Sequence, residues 1–483
     1  MASSSDKHLT VDVAVIGAGT AGLAAYRAAA AHGKRAVLIE SGPHGTTCAR
    51  VGCMPSKLLI AAAEAAHHAA HADPFGVHAS VSIDGEAVMS RVRRERDRFV
   101  GFVVEGVEKI PTENKLHGHA RFTAPGKLEV ALTEGGAAAI EARAVVIATG
   151  SKSFVPSMFD AVKDRLVVND DVFAWSRLPS SVAVFGAGVI GLELGQALAR
   201  LGVRVRVFGR SGTLGGLTDP KVKASALAAF KGELAIDTDA KVHEVTRVPE
   251  GVAVRFDDAH SAALTETFEY VLVAAGRKPN LAGLGLENAG VALNERGVPT
   301  FDRTTLQAKS GNAGAERPPV FIAGDVNEDV PLLHEAADEG RIAGDNAARF
   351  PKVQPGLRRS FLAITFTDPQ IAIAGALYAS LAKEREPERG FVIGEIDFSD
   401  QGRSRVMLQN RGLGRVYADP KTGRFLGAEL AGPRVEHIGH LLAWAHQSGL
   451  GIAEMLSMPF YHPVIEEGLR TALRDVHAKI QAA

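Results

Sequence analysis

Two stretches of this 483-residue chain repeat one pattern, and that repeat limits the fold more than any other feature. Val13-Ala14-Val15-Ile16 reads as an apolar strand, followed by a glycine turn, an alanine-rich helix and a second strand from Ala36 to Ile39. Val182-Ala183-Val184-Phe185 opens the same series: a glycine turn, a helix through Leu201, then a strand from Val203 to Phe208. Both turns are Gly-x-Gly-x-x-Gly, with Gly17, Gly19 and Gly22 in the first and Gly186, Gly188 and Gly191 in the second. In such a βαβ unit the glycines permit a tight turn and close backbone approach, and the helix N-terminus holds a pyrophosphate. One copy is a weak signal. Two copies in matching context imply two dinucleotide sites, one for a cofactor that stays and one for a cofactor that comes and goes. Glu40 closes the first copy at the distance where an acid bonds a ribose hydroxyl.

Three further apolar runs end in small residues: Ala144 to Gly150, Tyr270 to Arg277 and Val320 to Asp325. Runs of this kind suit strands buried on both faces. Asp325, at the C-terminal end of its strand, faces the ligand crevice of an α/β sheet, and Gly150 and Gly276 join it as candidate cofactor contacts. The expected class is α/β, with two Rossmann-like, doubly wound nucleotide-binding domains and a C-terminal α+β domain. Expected boundaries are 1–150 and 280–350 for the two parts of the first nucleotide domain, 151–279 for the second, and 351–483 for the last. After Phe350-Pro351 the pattern changes to alternating strands at Ser360 to Thr367, Gly390 to Phe398, Gly412 to Tyr417 and Gly427 to Leu430, then helices.

Charge narrows the partners. Lys and Arg number 54 against 55 Asp and Glu, a net −1, which argues against nucleic acid or an anionic membrane as the main partner. Met1 to Thr10 is polar with no apolar core, and no run approaches the ~18 apolar residues of a membrane span. A cytoplasmic location is expected, and no metal site.

The chain holds two cysteines, Cys48 and Cys53. Buried thiols are one reading; a chemically used pair is the other, since so short a loop would constrain little as a scaffold. On an ideal helix, residues five apart have Cα atoms about 8.6 Å apart, beyond the roughly 4.4–6.8 Å of a disulfide. A bond between them requires distorted backbone, which Gly52 and Pro55 can supply. A helix from about Pro55 puts its positive end near Cys53 and lowers that thiol's pKa.

The segment Gly45-Thr46-Thr47-Cys48-Ala49-Arg50-Val51-Gly52-Cys53-Met54-Pro55-Ser56-Lys57 resembles the redox motif of the class I flavoprotein disulfide reductases, which include dihydrolipoyl dehydrogenase, glutathione reductase and mercuric reductase. The resemblance covers essentially the whole chain. It implies FAD held by the first glycine motif, with Asp325 on the ribityl chain, and NAD(P) held by the second. It implies Cys48 as the interchange thiol and Cys53 as the thiolate against the flavin. Lys57 then lies near the flavin N5, paired with Glu193. Tyr461-His462-Pro463-Val464-Ile465-Glu466-Glu467 matches the acid/base signature, with Pro463 expected as the first helical residue and Glu467 reaching back to orient His462. The resemblance further implies a homodimer in which His462 serves the partner subunit, so that 351–483 is the dimerisation domain.

Among the relatives, mercuric reductases and large thioredoxin reductases use a second cysteine pair near the C-terminus, and no cysteine follows Cys53. Soluble transhydrogenases lack the first cysteine. Met54-Pro55-Ser56-Lys57 sits nearer the dihydrolipoyl pattern, so oxidation of dihydrolipoamide is the expected activity, with the lipoyl group of a 2-oxo acid dehydrogenase complex as partner. Alternatives are an NADPH-dependent disulfide reductase of the glutathione-reductase type and a redox-silent FAD-binding scaffold. Ala49-Arg50 departs from the small and polar residues usual between the cysteines; Arg50 is either a solvated charge or a contact for an anionic disulfide. A second departure concerns the nicotinamide. Twenty-three positions after Gly17 stands Glu40, and the same distance after Gly186 stands Gly209, followed by Arg210. With no acid to repel an extra phosphate, NADP(H) is expected to be accepted at least comparably to NAD(H), with Arg204 and Arg206 adding to the field of Arg210; the other reading leaves Arg210 in solvent.

Overall fold

The computed structural model describes residues 7–258, 261–384 and 390–482; Met1 to Asp6, where the polar N-terminal reading begins, lie outside them. Contacts divide the chain into two units. One holds the segments up to Pro55, Arg93–Phe154 and Arg277–Arg358; the other holds Ser56–Val92, Val155–Gly276 and everything from Arg359.

In the first unit, Lys7–Ile16 lies between Ala36–Glu40 and Ala137–Ile147, with Val320–Ile322 beyond, all parallel. Lys115–Ala124 adds on the other side of Ala36–Glu40, and Lys127–Leu132 joins it antiparallel to Ala137–Ile147. Val13, Val15, Val145, Val146, Ile147, Phe321 and Ile322 are fully buried, as their unbroken apolar runs require of a sheet covered on both faces. Helices Thr20–Ala31 and Leu333–Arg349 pack closely on each other. A Cβ at Gly340 would come 2.1 Å from the Ala21 carbonyl oxygen and one at Gly344 2.3 Å from that of Ala25, so only glycine allows this approach.

The second unit begins with a parallel sheet in the order Ala235–Asp237, Arg204–Phe208, Ser181–Phe185, Tyr270–Val273, Leu166–Val167. A three-stranded antiparallel meander, Val242–Val248, Gly251–Asp258 and Ser261–Phe268, packs on it through Phe185, Phe208, Phe256 and Phe268. The C-terminal part is an antiparallel sheet ordered Leu362–Thr365, Gln370–Gly375, Phe425–Gly432, Leu413–Ala418, Val392–Asp397. Helices Val435–Gln447 and Glu467–Ala482 lie against it, burying Ile438, Leu442, Leu469, Leu473 and Val476. Gln370–Gly375, the meander and the helix Gly85–Glu108 were not anticipated from sequence. No helix among the described residues is long and apolar enough to cross a membrane.

Candidate functional site

The two glycine turns have nearly superimposable requirements. A Cβ at Gly17 would lie 2.3 Å from the Ala148 oxygen and one at Gly22 1.8 Å from the Gly17 oxygen. In the second copy, Gly186 gives 2.3 Å to the Ala274 oxygen and Gly191 gives 1.8 Å to the Gly186 oxygen. Gly19 and Gly188 differ: nothing lies within 4 Å of a Cβ there. Each precedes a helix, Thr20–Ala31 or Val189–Arg200, that carries no side-chain cap, so first-turn N–H groups face open space. That cradle fits a pyrophosphate.

Around the first cradle stand the polar groups a dinucleotide needs. Glu40 is held at its strand end by Ala18 N–H (2.7 Å) and Gly42 N–H (2.8 Å). Asp325 accepts from Ser151 Oγ at 2.8 Å, and Ser151 in turn is gripped by Arg277, through Nε to Oγ at 2.8 Å and Nη2 to the carbonyl at 2.7 Å. Gly150 has φ +66°, and its carbonyl accepts from Asn280 N–H at 2.9 Å. Behind Asp325, buried Glu339 receives Gly324 N–H and Asn327 Nδ2, both at 2.7 Å, and burial pushes its carboxyl up to about 6. Thr149 Oγ1 and His44 Nδ1 are buried without a hydrogen-bond partner among the described residues. Neither was singled out from sequence; a polar residue straight after an apolar strand was the available signal for Thr149. In the second unit Gly276, at φ +111°, follows the strand Tyr270–Val273.

The Cys48–Cys53 segment is two helices joined at one residue. Thr47–Val51 carries Cys48, Gly52 breaks the helix at φ −129° and ψ −116°, and Cys53 opens the helix Cys53–Ala70. A Cβ at Gly52 would sit 3.1 Å from the Thr47 oxygen and 3.2 Å from the Cys48 Cα, so glycine lets the chain double back on Cys48. The cysteines are thiols that hydrogen-bond to each other. Cys48 is pushed far above the usual thiol range, first by that hydrogen bond and then by burial. Cys53 sits at a helix N-terminus, where an anion is favoured. Just before them, Thr46 takes φ 58° and ψ 152°, a region essentially reserved for glycine, with its hydroxyl accepting from Ala49 N–H at 3.3 Å. Arg50 lays its stem against Gly45 and points its guanidinium back to the Pro43 carbonyl at 3.5 Å.

One turn along the helix from Cys53, Lys57 Nζ meets both carboxylate oxygens of Glu193, at 2.7 and 2.9 Å. Glu193 is 5% exposed and also accepts from Phe366 N–H at 2.9 Å, while Lys57 lies 4.5 Å from the centre of the Phe366 ring. Gln196 and Arg200 follow Glu193 on the same helix face. Gln196 Nε2 donates to the Asp368 carbonyl at 2.8 Å, and Arg200, 4% exposed, is held by Glu233 and by Asp368 at 2.9 Å. The i, i+3, i+7 spacing of Glu193, Gln196 and Arg200 was the signal for this network. Removing its cation strands two carboxylates, so Arg200→Met should cost about 3–5 kcal/mol. A thermal melt of the holoprotein should fall by several degrees.

His462 Nδ1 lies 3.0 Å from Glu467 Oε2, and the imidazole is 80% exposed. Glu467 is also bonded by Arg470 Nη2 at 3.4 Å. Pro463 is not the first helical residue: residues 462–466 form turns and the helix opens at Glu467. The polar groups of that segment are committed elsewhere, since Gln401 Nε2 takes the Val464 carbonyl at 2.8 Å and Val464 N–H donates to Glu467 at 3.4 Å. Arg204 and Arg206 share the one carboxylate of Glu266, at 3.1 and 2.8 Å, over Phe268 and Phe256, which offsets part of the charge they would add near Arg210.

Residues 11–340 match the family model of pyridine nucleotide-disulphide oxidoreductases, and residues 362–473 match the dimerisation domain of the same family. The chain belongs to the pyridine nucleotide-disulphide oxidoreductases. Dihydrolipoyl dehydrogenase 3 of Pseudomonas aeruginosa is 31% identical over 97% of this chain and 98% of its own length. A mercuric reductase of Streptomyces lividans is 30% identical over 95% and 94%. The crystal structure of LpdA from Mycobacterium tuberculosis has the same fold, with a TM-score of 0.81, 23% identity and coverage of 96% of this chain and 99% of that one. This oxidoreductase is thus a flavoprotein enzyme that works with FAD and NAD(P), and its dimerisation domain supports a homodimer.

Proposed function

We propose that this oxidoreductase oxidises dihydrolipoamide, with Cys48 and Cys53 as the exchanging pair. The hydrogen-bonded thiols across the Gly52 break carry this reading. In the oxidised enzyme the pair is a disulfide. His462, supplied by the partner subunit's copy of this chain, takes a proton from one substrate thiol; Glu467 on Nδ1 leaves Nε2 as the base. The substrate thiolate attacks Cys48 Sγ, the Cys48–Cys53 bond breaks, and Cys53 leaves as a thiolate favoured by its helix N-terminus. The second substrate thiol then attacks the mixed disulfide, closing lipoamide, and its proton passes to the Cys48 sulfur that leaves. When bound, FAD and nicotinamide supply the two-electron chemistry that reoxidises the dithiol. Gly17, Gly19, Gly22, Glu40, Gly150 and Asp325 would hold FAD, and Gly186, Gly188, Gly191 and Gly276 the nicotinamide nucleotide. Lys57, fixed by Glu193, would place a cation beside the flavin.

Support for the substrate comes from the relatives named dihydrolipoyl dehydrogenase and from the lack of any cysteine after Cys53. The lipoyl group of a 2-oxo acid dehydrogenase complex is the corresponding partner. Parallel assays with dihydrolipoamide and with glutathione disulfide, each with both nicotinamides, test it. Turnover of glutathione disulfide with none of dihydrolipoamide would replace this reading with the glutathione-reductase type.

A further inference from the structure

The two nucleotide folds can be superimposed residue by residue through their sheet registers. In the first, Ile16, just before the glycine turn, pairs with Ile39, and Glu40 follows. In the second, Phe185 stands before the turn and pairs with Phe208, and Gly209 follows. Register and residue count therefore agree that Gly209 occupies the place of Glu40. No loop shift hides an acid there.

Nor can an acid be put there. A Cβ at Gly209 would lie 2.6 Å from the Thr238 Cα, 2.8 Å from its oxygen and 2.9 Å from the Asp237 oxygen. The loop after Gly209 is zipped onto this neighbouring turn. Gly209 N–H donates to the Asp237 carbonyl at 2.6 Å, Ala240 N–H to Gly209 at 3.1 Å, and Gly212 N–H to Thr238 at 3.0 Å. Of the nearby carboxylates, Asp239 accepts Ser211 N–H from this loop at 3.0 Å and Asp237 accepts Asp239 N–H within its own turn at 2.9 Å. Arg210 is exposed, and its side chain makes no hydrogen bond or ion pair with any described residue. Lys223 Nζ reaches the same loop, 3.8 Å from where a Cβ on Gly212 would be.

We infer that the second fold selects the 2′-phosphorylated nucleotide, NADP(H), with Arg210 contacting the phosphate and Lys223 adding to the field. This rests on the reading that the second fold holds the nicotinamide nucleotide. An acid at the strand end would bond the ribose hydroxyl of NAD and repel a phosphate; here the acid is sterically barred and a free guanidinium follows. Guanidinium is suited to phosphate through paired, charge-assisted hydrogen bonds.

The test uses nucleotide fragments, so it does not depend on which dithiol the enzyme oxidises. Calorimetric titration of the FAD-loaded enzyme with 2′,5′-ADP and with 5′-AMP should show the first binding about 10–100-fold more tightly, the range of one charge-assisted contact. Arg210→Ala should erase most of that margin while leaving 5′-AMP binding unchanged. Lys223→Ala should reduce it partially. Equal affinity for the two fragments, or a margin that survives Arg210→Ala, overturns the assignment. An enzyme inert with dihydrolipoamide that still shows the margin refutes the dithiol reading alone.

Discussion

Replacing one sulfur should end dithiol oxidation while leaving a yellow protein. Cys48→Ser removes the atom that substrate thiolate attacks, and no other cysteine except Cys53 exists to take its place. Turnover with dihydrolipoamide should fall to assay background. The glycine cradle, Glu40 and Asp325 do not involve Cys48, so FAD content should match the parent, measured by absorbance after gel filtration. Serine can still occupy the hydrogen-bonding place of the Cys48 thiol beside Cys53, so the fold should tolerate the change. Near-parental turnover would sink the mechanism. Loss of FAD together with activity would show that the segment serves the cofactor instead.

The second large effect concerns proton removal. His462→Gln should lower kcat by about 10²–10⁴, the usual contribution of a positioned general base. Glutamine keeps a donor toward Glu467 but cannot take up a proton near neutral pH. Glu467→Gln should cost less, since its carboxylate acts only by holding the ring. The imidazole is 80% exposed and bears little of the core, so the thermal midpoint of His462→Gln should stay near the parent. Steady-state rates at several pH values decide the matter: the limb that reports base ionisation should vanish in His462→Gln. An unchanged profile would point to another base.

What could be read from the sequence was local. The glycine turns, the Cys48–Cys53 spacing and the His462–Glu467 spacing each sit within a few residues, so their geometry follows from backbone rules. Lys57 and Glu193, 136 positions apart, could be paired only through the family resemblance, and the structure places them in contact. Phe366 N–H on Glu193 is a product of tertiary packing and left no local trace. Arg204 and Arg206 look like free cations in sequence because Glu266, 62 positions after Arg204, becomes their neighbour only when the meander folds back. The strand Gln370–Gly375 was missed because half of it is alanine and glycine, and its place in mid-sheet is secured by burial of Ile371 and Ile373. Pro463 was misplaced for a related reason: a proline followed by a glutamate resembles a helix start until Gln401, from another element, captures the carbonyl in between.

The middle glycine of each turn offers a way to take the catalytic cycle apart. The flanking glycines of the motif are required by backbone packing, but a Cβ at Gly19 or Gly188 would meet nothing within 4 Å. A Cβ added there has no protein neighbour within 4 Å, so folding should be indifferent to it while a pyrophosphate would find its seat filled. Gly188→Val should thus yield a folded flavoprotein that accepts electrons from a dithiol once and then stalls, reduced, with no outlet. Gly19→Val should give the same polypeptide colourless. Within a three-glycine motif, then, architecture and occupancy are written at different letters, and the two half-reactions can be silenced one at a time.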